Sequence, residues 1–425
     1  MKIAIIGTGI AGNVAAYKLH QQHEITVFEA NDYIGGHTHT HDIDLNGVRY
    51  QVDSGFIVYN DWTYPNFIQL LDELGVHSQP SNMSFSVKCE KSGLEYNGTT
   101  LNSLFAQRRN LLKPSFYRMI KDILRFNKQA KLLLETSDHG LTLGEFLNRH
   151  NFSQQFIEHY IIPMGAAIWS ADPVQMFEFP AYFFARFFNN HGMLNVDDRP
   201  TWRVIKGGSK RYVEQLTAAF KYRIRLSTPI ERVTRYRDFV EVIPKGRPAE
   251  RFDHVFFACH SNQALQLLTD ASQDEKEILG AIPYQKNTAV LHTDESILPR
   301  KRLAWAAWNY HIVNKQQDRV ALTYNMNILQ SLSAPTTFCV TLNHSDAIDP
   351  DKIVKVMEYE HPAFTLEGIA AQKRQKEING VNRTYYCGAY WRNGFHEDGV
   401  VSALNAVDHF NERATDEQLY IRRAS

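Results

Sequence analysis

At 425 residues the chain exceeds what one ordinary hydrophobic core organises, so two domains, or one domain with a large insertion, are expected. Its 44% hydrophobic and 22% charged residues are those of a globular protein, and 46 Lys+Arg against 46 Asp+Glu remove any electrostatic reason for nucleic acid or an anionic membrane to be the main partner. No apolar run reaches the roughly 18 residues that a bilayer span needs, and no targeting segment precedes the first strand, so a cytoplasmic protein is expected, with peripheral contact at the inner face of a membrane left open.

Lys2 to Ile6 is a short apolar run without helical period, which reads as a buried strand. It breaks into Gly7, Gly9 and Gly12 before an Ala-rich helix opening near Ala11. In a dinucleotide site Gly7 permits the turn, Gly9 lets backbone approach a pyrophosphate, and Gly12 allows close helix packing. The diphosphate would sit at the helix N-terminus, beside Ile10 and Ala11. A second apolar strand, His23 to Ala30, carries Glu29 near its end, about 20 residues past the glycines. That carboxylate suits two free ribose hydroxyls and would repel a 2′-phosphate, which disfavours NADP. Strand, turn, helix, strand and acid in this order read as a dinucleotide site rather than a structural turn.

Gly35-Gly36 marks a second close backbone approach, Ile43 to Val52 reads as a hairpin turned at Asn46-Gly47, and Asp53-Ser54-Gly55-Phe56 closes the stretch. His37, His39 and His41 alternate, as ligands on one strand face would, but no acid or further His spacing joins them. They read as polar residues of a nucleotide loop, and no metal is expected. Trp62 to Gly75 is an amphipathic helix with a glycine stop, and Met83 to Cys89 with Gly93 to Thr99 a hairpin. Four helical patterns follow, Leu101 to Leu112, Ser115 to Leu134, Thr142 to His150 and Ser153 to Ile162, as an insertion. Phe177 to Phe188 (FEFPAYFFARFF) is densely aromatic and reads either as core packing or as the wall of an apolar substrate entrance.

From Arg203 a Gly turn and helix (RVIKGGSKRYVEQL) return to βα character, with strands at Ile224 to Thr228, Ile230 to Arg235 and Val240 to Ile243. Phe252 to Ala258 reads as a buried parallel strand and Asn262 to Leu268 as a helix. Residues 281 to 345 are strand-like and aromatic, and Thr384 to Cys387, Gly388 and a helix near Gly399 restore strand-turn-helix. Residues 1–75, 201–275 and 376–425 are therefore assigned to a nucleotide domain, and 76–200 and 276–375 to a substrate domain. Cys89, Cys259, Cys339 and Cys387, widely spaced and without CxxC, read as reduced, buried thiols.

The closing segment, YYCGAYWRNGFHEDGVVSALNAVDHF, resembles the closing motif of flavoproteins related to monoamine oxidase, protoporphyrinogen oxidase and phytoene desaturase. The middle of the chain is similar to a bacterial branch of FAD-binding oxidoreductases associated with fatty-acid modification. The resemblance implies an α/β fold: a discontinuous Rossmann-like domain holding one extended, noncovalent FAD, and a substrate domain of mixed β-sheet with a helical insertion. It implies cofactor contacts at Gly7, Gly9, Ile10, Ala11, Gly12, Glu29 and Ala30, then at Gly35, Gly36, His37, Ser54, Gly55 and Phe56. Val233 would meet adenine through its backbone, Gly388 would lie against the flavin linkage, and Gly399 with Val400 would meet the pyrimidine end of the ring, where a helix dipole favours the reduced form.

Two departures stand out. His37 occupies the place of an Arg, and Gly388-Ala389 lacks the acid expected on a ribityl hydroxyl, with Glu397 or Asp398 as substitutes. Covalently linked members of the family use a Cys later than Cys387. Phe395 and Trp391 are candidate cavity walls, while Lys286, Tyr324 and His361 are catalytic candidates by residue type alone. The expected function is an FAD-dependent oxidoreductase that removes a hydride from, or desaturates, an apolar substrate of fatty-acyl kind, a small molecule or lipid, with no nucleic-acid partner and the oligomeric state open. An amine oxidase is one alternative. A flavin-dependent isomerase, or a non-catalytic flavin-binding partner of a lipid-modifying enzyme, is the other.

Overall fold

Strand Lys2–Ile6 is apolar on both faces, and a strand of that kind is stable only between two others and beneath helices. In the computed structural model, which describes residues 1–136, 139–195, 197–314 and 319–424 (414–424 as backbone alone), it is the centre of a five-stranded parallel sheet. The order is Ile224–Arg225, Glu24–Phe28, Lys2–Ile6, His254–Phe257, Thr384–Tyr386. Parallel neighbours need crossovers, and two of these crossovers are long excursions that carry the rest of the molecule. Helix Ile10–Leu19 packs against the last helix, His396–Ala424, and both cover one face of the sheet.

The excursions meet in a seven-stranded mixed sheet. Its strands run Ile353–Pro362, Tyr284–His292, Cys339–Leu342, Leu322–Asn325, Trp308–Ile312, Phe85–Cys89 and Leu94–Asn97, antiparallel except for the Trp308–Ile312 and Phe85–Cys89 pair. Helices Pro114–Leu134, Ile162–Trp169 and Ala181–Asn190 pack beside it around one aromatic core. The FEFPAYFFARFF stretch belongs to that core: Phe183, Phe184, Phe187 and Phe188 are buried, and Phe126 meets Phe184 edge-on. Core packing is thus the outcome for this stretch, although Phe183 stacks at 5.1 Å on Phe364, which reaches the cavity described below.

Where elements differ from expectation, the cause is local. The pattern over Leu101 to Leu112 divides into helix Leu101–Leu104 and a 3₁₀ turn Arg108–Leu112, because the Arg108 guanidinium takes the Phe105 and Asn102 carbonyls at 2.9 and 3.3 Å. The pattern from Ser153 does not stop at Ile162. It widens into a π turn over Ile157–Ile161 and continues as Ile162–Trp169. Pro163 has no N–H to give the His159 carbonyl, and the Tyr96 hydroxyl takes that carbonyl instead at 2.6 Å. Among the described residues no helix is long and apolar enough to cross a membrane.

Candidate active site

A cavity of about 910 Å³ starts at the Gly7–Ala11 turn, passes the Gly35–His37 loop and the start of the last helix, and ends against the seven-stranded sheet. At its first end a Cβ on Gly12 would stand 2.0 Å from the Gly7 carbonyl, so only glycine lets the helix sit this close to the strand. Gly9, by contrast, has open space where a Cβ would stand, and Gly36, at φ +59°, faces it with a virtual Cβ 3.0 Å from the Gly9 Cα. Two backbones without side chains thus border a cradle at a helix N-terminus, whose first N–H groups have no intrahelical acceptor.

Glu29 is buried and held in place. Its Oε2 accepts from the Thr8 N–H at 2.9 Å and from the Thr8 hydroxyl, and its Oε1 from the Asn31 N–H at 2.8 Å. A carboxylate has about four acceptor sites, so one stays available toward the cavity it lines. Next to it, the Thr228 N–H bonds the Glu29 carbonyl at 2.8 Å, and Thr228, Pro229 and Ile230 line the same end. Val233 does not. Its side chain is fully buried and its carbonyl accepts from Thr269 at 3.1 Å; the residue of this strand that lines the cavity is Ile230, three residues earlier, where a bulge irregularity opens the strand.

Ala30, Gly35, Gly55 and Phe56 also line the cavity, whereas Ser54 turns away to share hydrogen bonds with Tyr359 (2.9 Å) and His41 (2.7 Å). The three alternating histidines separate. His39 and His41 lie against each other at 4.2 Å with their rings tilted by 45°, while His37 points the other way, its ring 5.2 Å from His361 and 5.9 Å from His260. Burial, and then the neighbouring His260, pull His37 down to about 4, and its Nε2 is buried without a partner among the described residues. At neutral pH it is an uncharged imidazole, so it does not bring the cation that Arg would bring to a phosphate. No three His, Cys, Asp or Glu side chains converge as a metal set among the described residues.

The closing segment lines the cavity with Gly388, Ala389, Tyr390, Asn393, Gly394, Phe395 and His396. The last helix opens at His396, not near Gly399, because the Asp398 carboxylate folds back onto the Phe395 N–H (2.9 Å) and the Asn393 N–H (3.2 Å) and caps the turn. Gly399 and Val400 therefore stand one turn inside: a Cβ on Gly399 would come 2.6 Å from Ile10 Cγ2, and Val400 is in the core. The residues at the helix mouth are Phe395 and His396, the latter held by Tyr212 and Thr38 through Nε2 (2.9 and 3.0 Å) and stacked on Phe56. Neither proposed substitute for the missing acid at Ala389 reaches the cavity. Asp398 is occupied by its cap, with burial lifting its carboxyl to about 6, and Glu397 caps helix Pro65–Glu73 instead. Trp391 is likewise no cavity wall. The 3₁₀ turn Ala389–Trp391 buries it beneath the other face of the parallel sheet.

The far end is an aromatic chamber of Trp169, Trp308, Tyr324, Phe364 and Phe395, with Ile168, Ser170 and Leu329. Phe395 stacks on Phe187 at 5.2 Å, which fixes that wall to the helical core. The indole Nε1–H groups of Trp169 and Trp308 are buried and lack partners among the described residues. Burial raises the Tyr324 phenol, with the Ser170 side chain opposing, so it is a donor and not a base. His361, brought down to about 3 by burial and then by His37, has Nδ1 engaged with the Asn287 amide at 2.9 Å. Lys286 is a largely exposed cation 3.9 Å from Glu360. Of the catalytic candidates, then, none stands as a charged acid or base inside the chamber. Sequence reasoning passed over Ile230, His260, His396 and the tryptophan pair. Trp169 and Trp308 come from separate segments, and no local pattern joins them.

A dinucleotide cradle on a parallel sheet, opening through a loop-helix junction into an aromatic chamber on a second sheet, defines a two-domain flavoprotein oxidoreductase. The chain belongs to the family of flavin containing amine oxidoreductases, whose model matches residues 10–300, and FAD is its cofactor. A 1-hydroxycarotenoid 3,4-desaturase of Flavobacterium sp. (strain P99-3) is 39% identical over 165 residues, 37% of this chain and 32% of that protein. The matches to curated relatives span about a third of those proteins' lengths. Among solved structures, cyclohexylamine oxidase from Brevibacterium oxydans IH-35A aligns with TM-score 0.69 and 16% identity over 97% of this chain and 99% of its own. A CLA-producing fatty acid isomerase from P. acnes aligns with TM-score 0.66 and 17% identity over 96% and 98%. The glycine cradle, the available Glu29 acceptor site and the Ile230 backbone fit the ADP half of FAD.

Proposed function

We propose that the protein removes a hydride from, or desaturates, an apolar chain of fatty-acyl kind. The observation that carries this reading is the chamber: its walls are Trp169, Trp308, Tyr324, Phe364 and Phe395, and the carboxylates that line the cavity, Glu29, Glu358 and Glu360, are not among them. FAD, when bound, supplies the two-electron acceptor for such a reaction. The protein's own groups do the rest. The glycine cradle and Glu29 orient the cofactor, Phe364 and Phe395 exclude water, and neutral His361 and His37 border the junction without placing charge there. Noncovalent attachment fits Cys387, which is fully buried in the sheet core and whose thiol burial pushes up.

Anaerobic titration of the purified flavoprotein tests this. Fatty-acyl or polyene substrates with a polar end should bleach the oxidised flavin, while primary amines of equal length should not; bleaching by amines alone would overturn the reading and support an amine oxidase. Double-bond isomerisation of the same chain is a second reading. The likeness to a fatty acid isomerase favours it. Its mark would be continuous product formation with no electron acceptor.

A further inference from the structure

The balanced charge of the whole chain conceals a local excess. Between Leu101 and Leu134 there are eight cationic residues and one acid, Asp122. That acid is buried, accepting from the Ser153 N–H at 2.9 Å and paired with Arg125 at 3.2 Å, so it offsets Arg125 and leaves the other seven cations. On helix Pro114–Leu134 the apolar residues Phe116, Met119, Phe126, Ala130 and Leu133 face the aromatic core. The opposite stripe, one residue per turn, is Tyr117, Lys121, Leu124, Lys128 and Lys131, all exposed. The 3₁₀ turn before it projects Leu111 and Leu112 beside Arg108 and Arg109, with Leu112 87% and Leu101 78% exposed. Among the described residues Lys113, Arg118, Lys121 and Lys128 have no carboxylate within ion-pair distance.

We propose that this face docks on an anionic lipid surface, with the 108–113 turn and the outer stripe of the helix at the interface. Exposed leucines interleaved with unpaired cations are what an interfacial helix needs: acyl contact for the leucines and Tyr117, headgroup phosphates for Lys and Arg. A duplex nucleic acid would use the cations but leave Leu101, Leu111, Leu112 and Leu124 in water, and a second copy of the chain would set the cations against each other. The face belongs to the domain that holds the chamber, because Phe126 packs on Phe184 and Phe183 on Phe364. The proposal stands whatever the substrate is.

The test is co-sedimentation of the FAD-loaded protein with vesicles of phosphatidylcholine alone and with added phosphatidylglycerol. Partition should require the anionic lipid and fall steeply with salt. Lys121→Glu/Lys128→Glu and Leu111→Ser/Leu112→Ser should each lower it about tenfold while flavin content and melting temperature stay unchanged, since all four side chains are exposed. No partition into anionic vesicles, equal partition into neutral ones, or partition unaffected by both pairs of substitutions would overturn the proposal. So would a dimer that either pair of substitutions dissociates, or duplex DNA binding tighter than vesicle binding.

Discussion

The Glu397 carboxylate accepts the Phe67 N–H at 2.9 Å and the Asn66 N–H at 3.2 Å, so the last helix caps the first turn of helix Pro65–Glu73 across the interior of the domain. The cap position of that helix, Tyr64, offers no side-chain bond of its own. Glu397→Ala should therefore cost about 1–3 kcal/mol of stability, read from denaturant unfolding, by leaving the buried Phe67 N–H and the half-buried Asn66 N–H without an acceptor. Flavin stoichiometry should stay at the wild-type value. A Glu397 that held the ribityl chain would instead give a protein of ordinary stability that loses its cofactor.

Gly399 faces Ile10 where the first and last helices cross, and a Cβ there would lie 2.6 Å from Ile10 Cγ2. Because Ile10 lines the cradle, the strain of Gly399→Ala should pass into the cofactor site. The expected outcome is about 1–3 kcal/mol of destabilisation by overpacking together with weaker FAD retention on dialysis. An additional Ile10→Val change should restore part of both, and a double-mutant cycle measures that coupling.

These two positions also show what the sequence could reveal. Lys2–Ile6, the three glycines and Glu29 were legible because a buried strand, a turn without side chains and a terminal acid are local properties of contiguous residues. Periodicity assigns a residue to an element but not the residue at which the element opens. The last helix begins at His396 because Asp398 folds back on Phe395, and it is Ile230, where the chain bulges, that lines the Glu29 end of the cavity; both depend on contacts that spacing does not encode. Trp391 faces the sheet core because the turn after Gly388 rotates it, and aromatic character alone fits either side. Asp53 passed without comment as part of a loop. Yet it is fully buried and binds Ser209 and Gln330, joining the nucleotide and substrate segments across more than a hundred residues of chain.

The histidine group at the cavity junction makes stability fall in acid. His37 and His260 titrate at about 4 and His361 at about 3 in the folded protein, through burial first and one another second, against an ordinary value of 6.5. Between those values the unfolded chain binds protons that the folded one does not. Stability is thus fully present above about pH 6.5 and is lost as pH falls toward 4, at up to about 1.4 kcal/mol per pH unit for each histidine. Urea unfolding at pH 7, 6 and 5 should show this decline, and His37→Asn/His361→Asn should flatten it. Parallel curves for wild type and variant would show that these histidines keep ordinary titration.

Trp169 and Trp308 are walls of the chamber, and they should act through substrate binding rather than through the cofactor. Trp308→Phe keeps an aromatic ring against Tyr324, now 5.1 Å away in an edge-on pair, while removing part of the apolar wall. For an apolar chain substrate the lost contact should raise KM about tenfold, the equivalent of roughly 1.4 kcal/mol, with kcat little changed because the wall is touched equally in ground and transition states. Trp169→Phe should behave alike. An unchanged KM in both variants would assign the two indoles to the protein core rather than to the wall that meets the substrate.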